Sequence, residues 1–348
     1  MDSLYILSET ESEKMLELLD NSNNIILTCH KSPDGDALGA CLGMADFIRN
    51  YLQKSCTIAV PDAFPDFLKW MPGQEQIIRY DKHKEEIDKQ FAEADLVFSL
   101  DYDSPGRVGD MEATFRAYKG HKVLIDHHSD PQANYDVVCH HEDASSTCEL
   151  VFRILYQLYE LENLSKVSCI CLYTGMMTDT GCFAYNSNSS EIYLIISMML
   201  SKKIDKDKIY RNVFYNYSSW AVRLRGYVMY QKLNVFDDLH ACYYSLTKDE
   251  MQRFHFIKGD AEGLVNVPLA IKGMKLSISL REDDRRENVI WVSIRTIGNF
   301  SAQKVAQQFF NGGGHFNASG GHLDCSMDEA VQITRTAIKH FANELKGN

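Results

Sequence analysis

Four short runs constrain this chain more than anything else in it: NIILTC (24–29), CTIAV (56–60), DLVFSL (95–100) and KVLIDH (122–127). Each is apolar and rich in Val, Ile or Leu, without the alternation of a strand that keeps one face in water. Such runs read as strands buried on both faces, as in a parallel sheet covered by helices. The segments between them agree. ALGACLGMADFIRNYL (37–52) spaces its apolar residues at helical intervals, and SSTCELVFRILYQLYEL (145–161) opens on Ser and Thr with Glu149 in its first turn. The expected fold class is therefore α/β, with an N-terminal doubly wound, mainly parallel sheet. In such sheets ligands bind at the carboxyl ends of the strands.

A chain of 348 residues is longer than one core usually organises, so two domains are expected. Residues 1–187 form the first. Residues 188–232 read as helical throughout and serve as a connector. Residues 233–348 form a smaller C-terminal α/β domain with strands ACYYSLT (241–247), KLSISLRE (275–282) and VIWVSIRT (289–296). Within it REDDRRE (281–287) reads as a solvated hairpin turn, and GGGHFNASGGH (312–322) as a glycine-rich turn between two helical segments.

Composition narrows the function classes. The longest apolar run, IYLIISMML (192–200), is far shorter than the roughly 20 residues that cross a bilayer. MDSLYILSETESEK at the start has no basic segment ahead of an apolar one, so no signal peptide is expected. Ten cysteines without a framework of spacings fit reduced thiols and a cytoplasmic location. The net charge of −12 argues against coating long nucleic acid. Residues 231–348 balance 14 basic against 14 acidic side chains, so the whole excess lies in residues 1–230. An anionic ligand at that acidic half needs cations to hold it.

The acids and histidines sit where such cations would bind. His30, Asp34 and Asp36 follow the first strand in HKSPDGDALG. Asp101 follows the strand LVFSL, and Asp126, His127 and His128 follow KVLI. Asp179 follows the helical stretch CICLYTGMM. Four segments thus end in carboxylate or imidazole at one edge of the expected sheet. Each unpaired buried carboxylate costs several kcal/mol, so the collection calls for a compensating cation. A His/Asp set without cysteine favours Mn²⁺ or Mg²⁺. The supply suffices for two ions sharing one carboxylate, a recurring device for phosphate ester hydrolysis.

HKSPDGDALG, LDYDSPGR, IDHH and MTDTGCF resemble, in that order, the four motifs of the DHH phosphoesterase superfamily. GGGHFNASGGH is similar to the glycine-histidine motif of its DHH-associated C-terminal domain. The resemblance covers nearly the whole chain. It is strongest to the branch of oligoribonucleases (nanoRNases) that also remove phosphate from 3′-phosphoadenosine 5′-phosphate. It implies two Mn²⁺ ions, with Mg²⁺ or another divalent ion as substitutes. His30 and Asp34 would hold one, Asp36, His127 and Asp179 the other, and Asp101 would bridge them. Asp126 would orient an imidazole, and His128 would face the reacting phosphate as hydrogen-bond donor or acid. A metal-activated hydroxide would attack in the interdomain cleft. Arg107 would aid the substrate phosphate, while His315, Arg295, Gly313, Gly314 and Asn317 would grip the nucleotide.

The implied partners are short oligoribonucleotides or small phosphorylated nucleotides, with no membrane and no long nucleic acid. Apolar connector helices also suit a homodimer. Four alternatives stand beside this reading. One is a cyclic- or linear-dinucleotide phosphodiesterase. The second is an inorganic pyrophosphatase, whose branch closes its cleft with a Lys/Arg-rich motif and lacks the GGGH cluster. The third is an exopolyphosphatase, which would need a basic channel, and the fourth a nucleotide-binding regulator without catalysis.

Overall fold

The apolar runs pair edge to edge. Strands β1 (Asn24–Thr28), β2 (Ser55–Val60), β3 (Ile77–Arg79), β4 (Leu96–Leu100), β5 (His121–Asp126) and β6 (Val137–His140) form a six-stranded sheet, every pair parallel. Its order is β3-β2-β1-β4-β5-β6. The computed structural model describes residues 2–128, 134–257 and 259–347. By compactness the chain divides into two units, Met1–Asn216 and Tyr217–Asn348.

The helices of the first unit are α1 (Glu9–Asn21), α2 (Gly35–Asn50), α3 (Lys84–Glu93), α4 (Glu112–Ala117), α5 (Thr147–Tyr159), α6 (Lys166–Asp179), α7 (Ser190–Ser201) and α8 (Lys206–Phe214). They cover both sheet faces. Ile25, Leu27, Phe98 and Ile125 pack with α2, α5 and α6 on one face. Ile26 and Val97 pack with Ile87, Phe91 and Phe115 of α3 and α4 on the other. This two-sided burial explains the missing alternation in the sequence. The order also reverses between β1 and β4, so the loops leaving these neighbours diverge and leave a crevice at their carboxyl ends.

Helices α2 and α6 lie so close that side chains are excluded between them. A Cβ at Gly39 would stand 2.6 Å from the Cys171 carbonyl oxygen and 2.8 Å from the Cys148 Sγ. One at Gly175 would lie 3.0 Å from the Asp36 Cα. The glycines thereby set how near α6, which ends on Asp179, comes to the start of α2, which carries Asp36.

The second unit contains α9 (Ser219–Tyr227), β7 (Asn234–Phe236), β8 (Ala241–Leu246), α10 (Lys248–Arg253), β9 (Leu276–Glu282), β10 (Val289–Thr296), α11 (Ala302–Phe309), β11 (Gly313–Gly314), β12 (Ala318–Asp324) and α12 (Met327–His340). Its sheet order is β11-β12-β10-β9-β8-β7, antiparallel except for β8 with β9. Ile278, Leu280, Val292 and Ile294 face a core shared with Val305, Ala337 and Ile338 of α11 and α12. The opposite face carries Tyr244 and Leu246, packed with Leu224, Met251 and Leu264.

Two stretches differ from expectation. GGGHFNASGGH is not a turn between helices: Gly313 pairs with Gly320 and Gly314 with Ser319 in a two-strand arm. Glycines lack the side chains that would display a strand period, so the pairing left no trace in the pattern. Residues 188–232 are helical, and they also belong to the cores. Ile192, Ile195, Met199, Ile209 and Val213 pack in the first unit and Leu224 and Val228 in the second. REDDRRE does form the β9–β10 hairpin turn, held by Asp283, which accepts from the Arg285 and Arg286 backbone and from Trp291 Nε1. All ten cysteines are free, and no helix among the described residues is long and apolar enough to cross a membrane.

The α2–α6 contact can be tested by overpacking. Gly39→Ala is expected to lower unfolding stability by about 1–3 kcal/mol in urea titrations. Gly226→Ala, on α9 with open space at its Cβ, should leave it unchanged or raise it slightly.

Candidate metal centre

The crevice between β1 and β4 collects the side chains singled out in the sequence. After β1, the carbonyl of Lys31 accepts a hydrogen bond from His30 Nδ1–H at 2.8 Å, which leaves Nε2 facing inward. Asp34 caps α2, its Oδ1 accepting from the backbone N–H of Asp36 at 3.0 Å and Ala37 at 3.1 Å, so that Oδ2 remains available. The Lys31 N–H donates to the Arg107 carbonyl at 2.7 Å and ties this loop to the turn after β4.

Asp101 directly follows β4, and its φ of 67° lies in the left-handed region, where a non-glycine residue carries strain of order 1–3 kcal/mol. Its side chain is almost fully buried. Oδ2 lies 3.4 Å from His30 Nε2, while Oδ1 lies 3.6 Å from both His127 Nε2 and His128 Nδ1. Thr147 Oγ1 donates to Oδ1 at 3.0 Å. The two oxygens of one carboxylate therefore face two different sets of groups.

The second set surrounds His127, whose Nδ1 donates to the Ala144 carbonyl at 3.3 Å. Its Nε2 sits 3.7 Å from Asp36 Oδ2, 3.6 Å from Asp101 Oδ1 and 3.7 Å from Asp179 Oδ2. Asp36 is held by the first turn of α5, accepting from Thr147 N at 2.7 Å and Cys148 N at 2.9 Å. Asp179 is the last residue of α6, where the helix dipole adds negative potential to its own charge.

These nitrogen–oxygen separations of 3.4–3.7 Å are too long for hydrogen bonds. Yet the potential ligand atoms of His30, Asp34 and Asp101 lie within 4.8 Å of one another, as do those of Asp36, Asp101 and His127. Burial, reinforced by Asp101, Asp179 and Asp34, pushes the Asp36 carboxyl well above the usual range. Burial likewise pushes Asp179 up to about 6, with Asp34 and Asp101 adding and His127 opposing. For His30 burial acts downward, but Asp101 and Asp34 outweigh it and raise the imidazole well above its usual value. Asp101 is held well below the usual range, since His30, His128 and His127 overcome its burial. Oxygen and imidazole donors aimed at common points, short of positive charge, fit hard or borderline divalent cations. The neighbouring thiols of Cys29 and Cys148 are driven upward by burial and remain protonated.

His128 occupies a different position. Its Nδ1 bonds Asp126 Oδ1 at 2.7 Å, and its backbone carbonyl accepts from His140 Nε2. Burial lowers its affinity for a proton, but Asp126 and Asp101 reverse this, against opposition from the nearby Arg107. Asp126 is fully buried, and its Oδ2 has no hydrogen-bond partner among the described residues. Asp126 thus orients His128 rather than His30 or His127.

The remaining candidates lie on the second unit. Arg295 is on β10 opposite Ser277 and Ala318, and Gly313 and Gly314 make up β11. The His315 N–H bonds the Ala318 carbonyl at 2.9 Å. Asn317 Nδ2 donates to Thr296 Oγ1, the Gly298 carbonyl and the Phe300 carbonyl, so its hydrogens serve the turn. Sequence reasoning missed Thr147, the Cys148 N–H and the Ala144 carbonyl. The capped start of α5 in SSTCE was visible, but not which carboxylates its N–H groups would meet.

Comparison with known proteins adds an independent finding. Residues 24–176 match the DHH family, N-terminal domain, and residues 242–344 match the DHHA1 domain. The bifunctional oligoribonuclease and PAP phosphatase NrnA of Thermus thermophilus is 26% identical over 317 residues, covering 90% of this chain and 89% of that protein. The cyclic-di-AMP phosphodiesterase GdpP of Geobacillus thermodenitrificans is 25% identical over 95% of this chain, which spans 49% of that protein. The crystal structure of an exopolyphosphatase-related protein from Bacteroides fragilis superposes with a TM-score of 0.94 at 43% identity, covering 98% of this chain and 99% of that one.

The electrostatics predict a pH dependence. Asp36, Asp179 and His30 all bind protons more tightly folded than unfolded. Metal-free stability should therefore fall as pH rises through the value near 6 of Asp179 and beyond. A divalent cation takes over from those protons. The rise in Tm on adding Mn²⁺ should accordingly be larger at about pH 8 than at about pH 5. An equal rise at both would contradict the proposed ligands.

Proposed function

The chain belongs to the DHH family of phosphoesterases, and from that premise we propose that it is a two-cation hydrolase of short oligoribonucleotides and of 3′-phosphoadenosine 5′-phosphate. The observation that carries the reading is Asp101, with Oδ2 toward His30 and Oδ1 toward His127. His30 and Asp34 would hold one cation, Asp36, His127 and Asp179 the other, and Asp101 both. Mn²⁺ suits this donor set, with Mg²⁺ as a substitute. Bound cations would supply an activated water and neutralise charge on the phosphoryl oxygens.

The protein's own groups have distinct tasks. The Lys31 and Ala144 carbonyls fix the histidine rings, and the first turn of α5 fixes Asp36, so these three side chains are held in place before a cation binds. His128, oriented by Asp126 and favoured in its protonated form, would donate to the phosphate or to the departing oxygen. Arg107, near His128, would add positive charge on the substrate side. On the second unit, His315, Arg295 and the β11 glycines would grip the end of the nucleotide. Similarity to NrnA over about nine-tenths of both chains supports substrates of this size.

Purified protein with Mn²⁺ should hydrolyse RNA two- to five-mers and 3′-phosphoadenosine 5′-phosphate in preference to cyclic di-AMP and pyrophosphate. Hydrolysis of pyrophosphate alone would overturn the proposal, and a preference for cyclic di-AMP would favour the phosphodiesterase reading. Asp101→Ala should abolish turnover. His128→Gln should lower kcat by about 10²- to 10⁴-fold, while His315→Ala should act chiefly on KM.

A further inference from the structure

The first unit has a second cavity-forming cluster, apart from the cation ligands, on helix α8. A cavity of about 380 Å³ is lined by Tyr173 of α6, by Lys206, Asp207, Tyr210 and Arg211 of α8, and by Tyr215 just after that helix. Its volume falls within the range of small-ligand sites. On α8, Ile209 and Val213 pack into the core. Lys206 with Tyr210, and Asp207 with Arg211, stand four residues apart and so form two neighbouring stripes outside it.

The lining is aromatic and cationic. Tyr215 is 72% exposed and Tyr210 36%. Their rings meet edge to face at 5.3 Å, and Tyr210 is backed by Phe214 at 5.0 Å. Asp207 is engaged by Lys206 Nζ at 2.7 Å. Arg211 is exposed, and among the described residues no hydrogen bond or ion pair engages its guanidinium. A single exposed tyrosine is ordinary surface. Three tyrosines around one cavity beside a free guanidinium offer what a single-stranded nucleic acid needs, a face to stack on and a fork for phosphate.

The location sets which part of a chain arrives there. Tyr173 lies six residues before Asp179 on α6, roughly 9 Å along the helix axis. Its ring meets Phe183, in the loop after Asp179, at 5.7 Å. Stacked nucleotides rise about 3.4 Å each, so about three of them cover that distance. A dinucleotide held at the cations falls short of the cavity, and a longer chain reaches it. We propose that this cavity is a base-stacking subsite for the third or a later nucleotide of an oligoribonucleotide, with Tyr210 and Tyr215 on the base and Arg211 on a phosphate. Every base has a face to stack, so the subsite discriminates by length and not by sequence. The inference rests on the reading that short oligoribonucleotides are the substrates, and it deepens that reading by naming what holds the uncleaved part of the chain.

Equilibrium binding to the full chain in EDTA, where no cleavage occurs, tests it with an RNA pentamer and an RNA dinucleotide as probes. The wild type should prefer the pentamer. Tyr215→Ala, at a position too exposed to disturb the fold, should lower the pentamer-to-dinucleotide affinity ratio about tenfold. Tyr215→Phe, which keeps the ring, should retain most of that ratio, and Arg211→Gln should lessen the salt dependence of pentamer binding. A ratio unchanged in Tyr215→Ala, a Tyr215→Phe variant as weak as Tyr215→Ala, or no preference in the wild type would each overturn the proposal. A wild type that shows the preference, loses it in Tyr215→Ala and cleaves no RNA with Mn²⁺ would overturn the function proposed above while supporting this one. Cleavage of RNA with a ratio unchanged in Tyr215→Ala would do the reverse.

Discussion

The carboxylate of Asp101 sits between two groups of potential ligands that otherwise have little reason to be close. Reaching that position requires a left-handed backbone at the end of β4, a conformation an aspartate tolerates but does not prefer. The neighbouring strands hold it there. The Asp101 N–H bonds the Ile125 carbonyl, the loop after β1 is tied to the Arg107 carbonyl, and Thr147 anchors one carboxylate oxygen. The sheet's reversal between β1 and β4 makes this possible, because it opens the space into which all three loops project.

Around Asp101 the fold concentrates negative charge that it only partly answers. Asp36 is compensated by the first turn of α5, and Asp34 by the first turn of its own helix. Asp179 stands at the unfavourable end of α6, and no backbone N–H among the described residues donates to its carboxylate. The histidine Nε2 atoms stand at ligand-like rather than hydrogen-bonding distances from the acids. Protons serve as counter-charges in the metal-free protein, which is why the pKa shifts of Asp36, Asp179 and His30 all run upward. The close α2–α6 contact belongs to the same arrangement, since Gly175 brings the carboxyl-terminal part of α6 against the backbone of Asp36.

Much of this was legible in the sequence because burial on both faces of a parallel strand leaves an unbroken apolar run, and the chemistry begins where each run ends. His30, Asp34, Asp36, Asp101, Asp126, His127 and His128 could be named for that reason, and Asp179 because it ends an apolar helix. Their pairings were less legible. Asp126 orients His128, and Thr147 and the Cys148 N–H hold Asp101 and Asp36 across more than 40 residues of chain. Such contacts depend on three-dimensional packing that local pattern does not encode. The β11–β12 arm was hidden for another reason: a glycine strand has no side-chain period to read.

The account depends on one carboxylate serving two cations. Calorimetric titration of the metal-free protein with Mn²⁺ measures this directly. Two ions per chain in the wild type, with both lost or severely weakened in Asp101→Asn, is the predicted result. A single ion per chain, or two ions bound with unchanged affinity in Asp101→Asn, would contradict it.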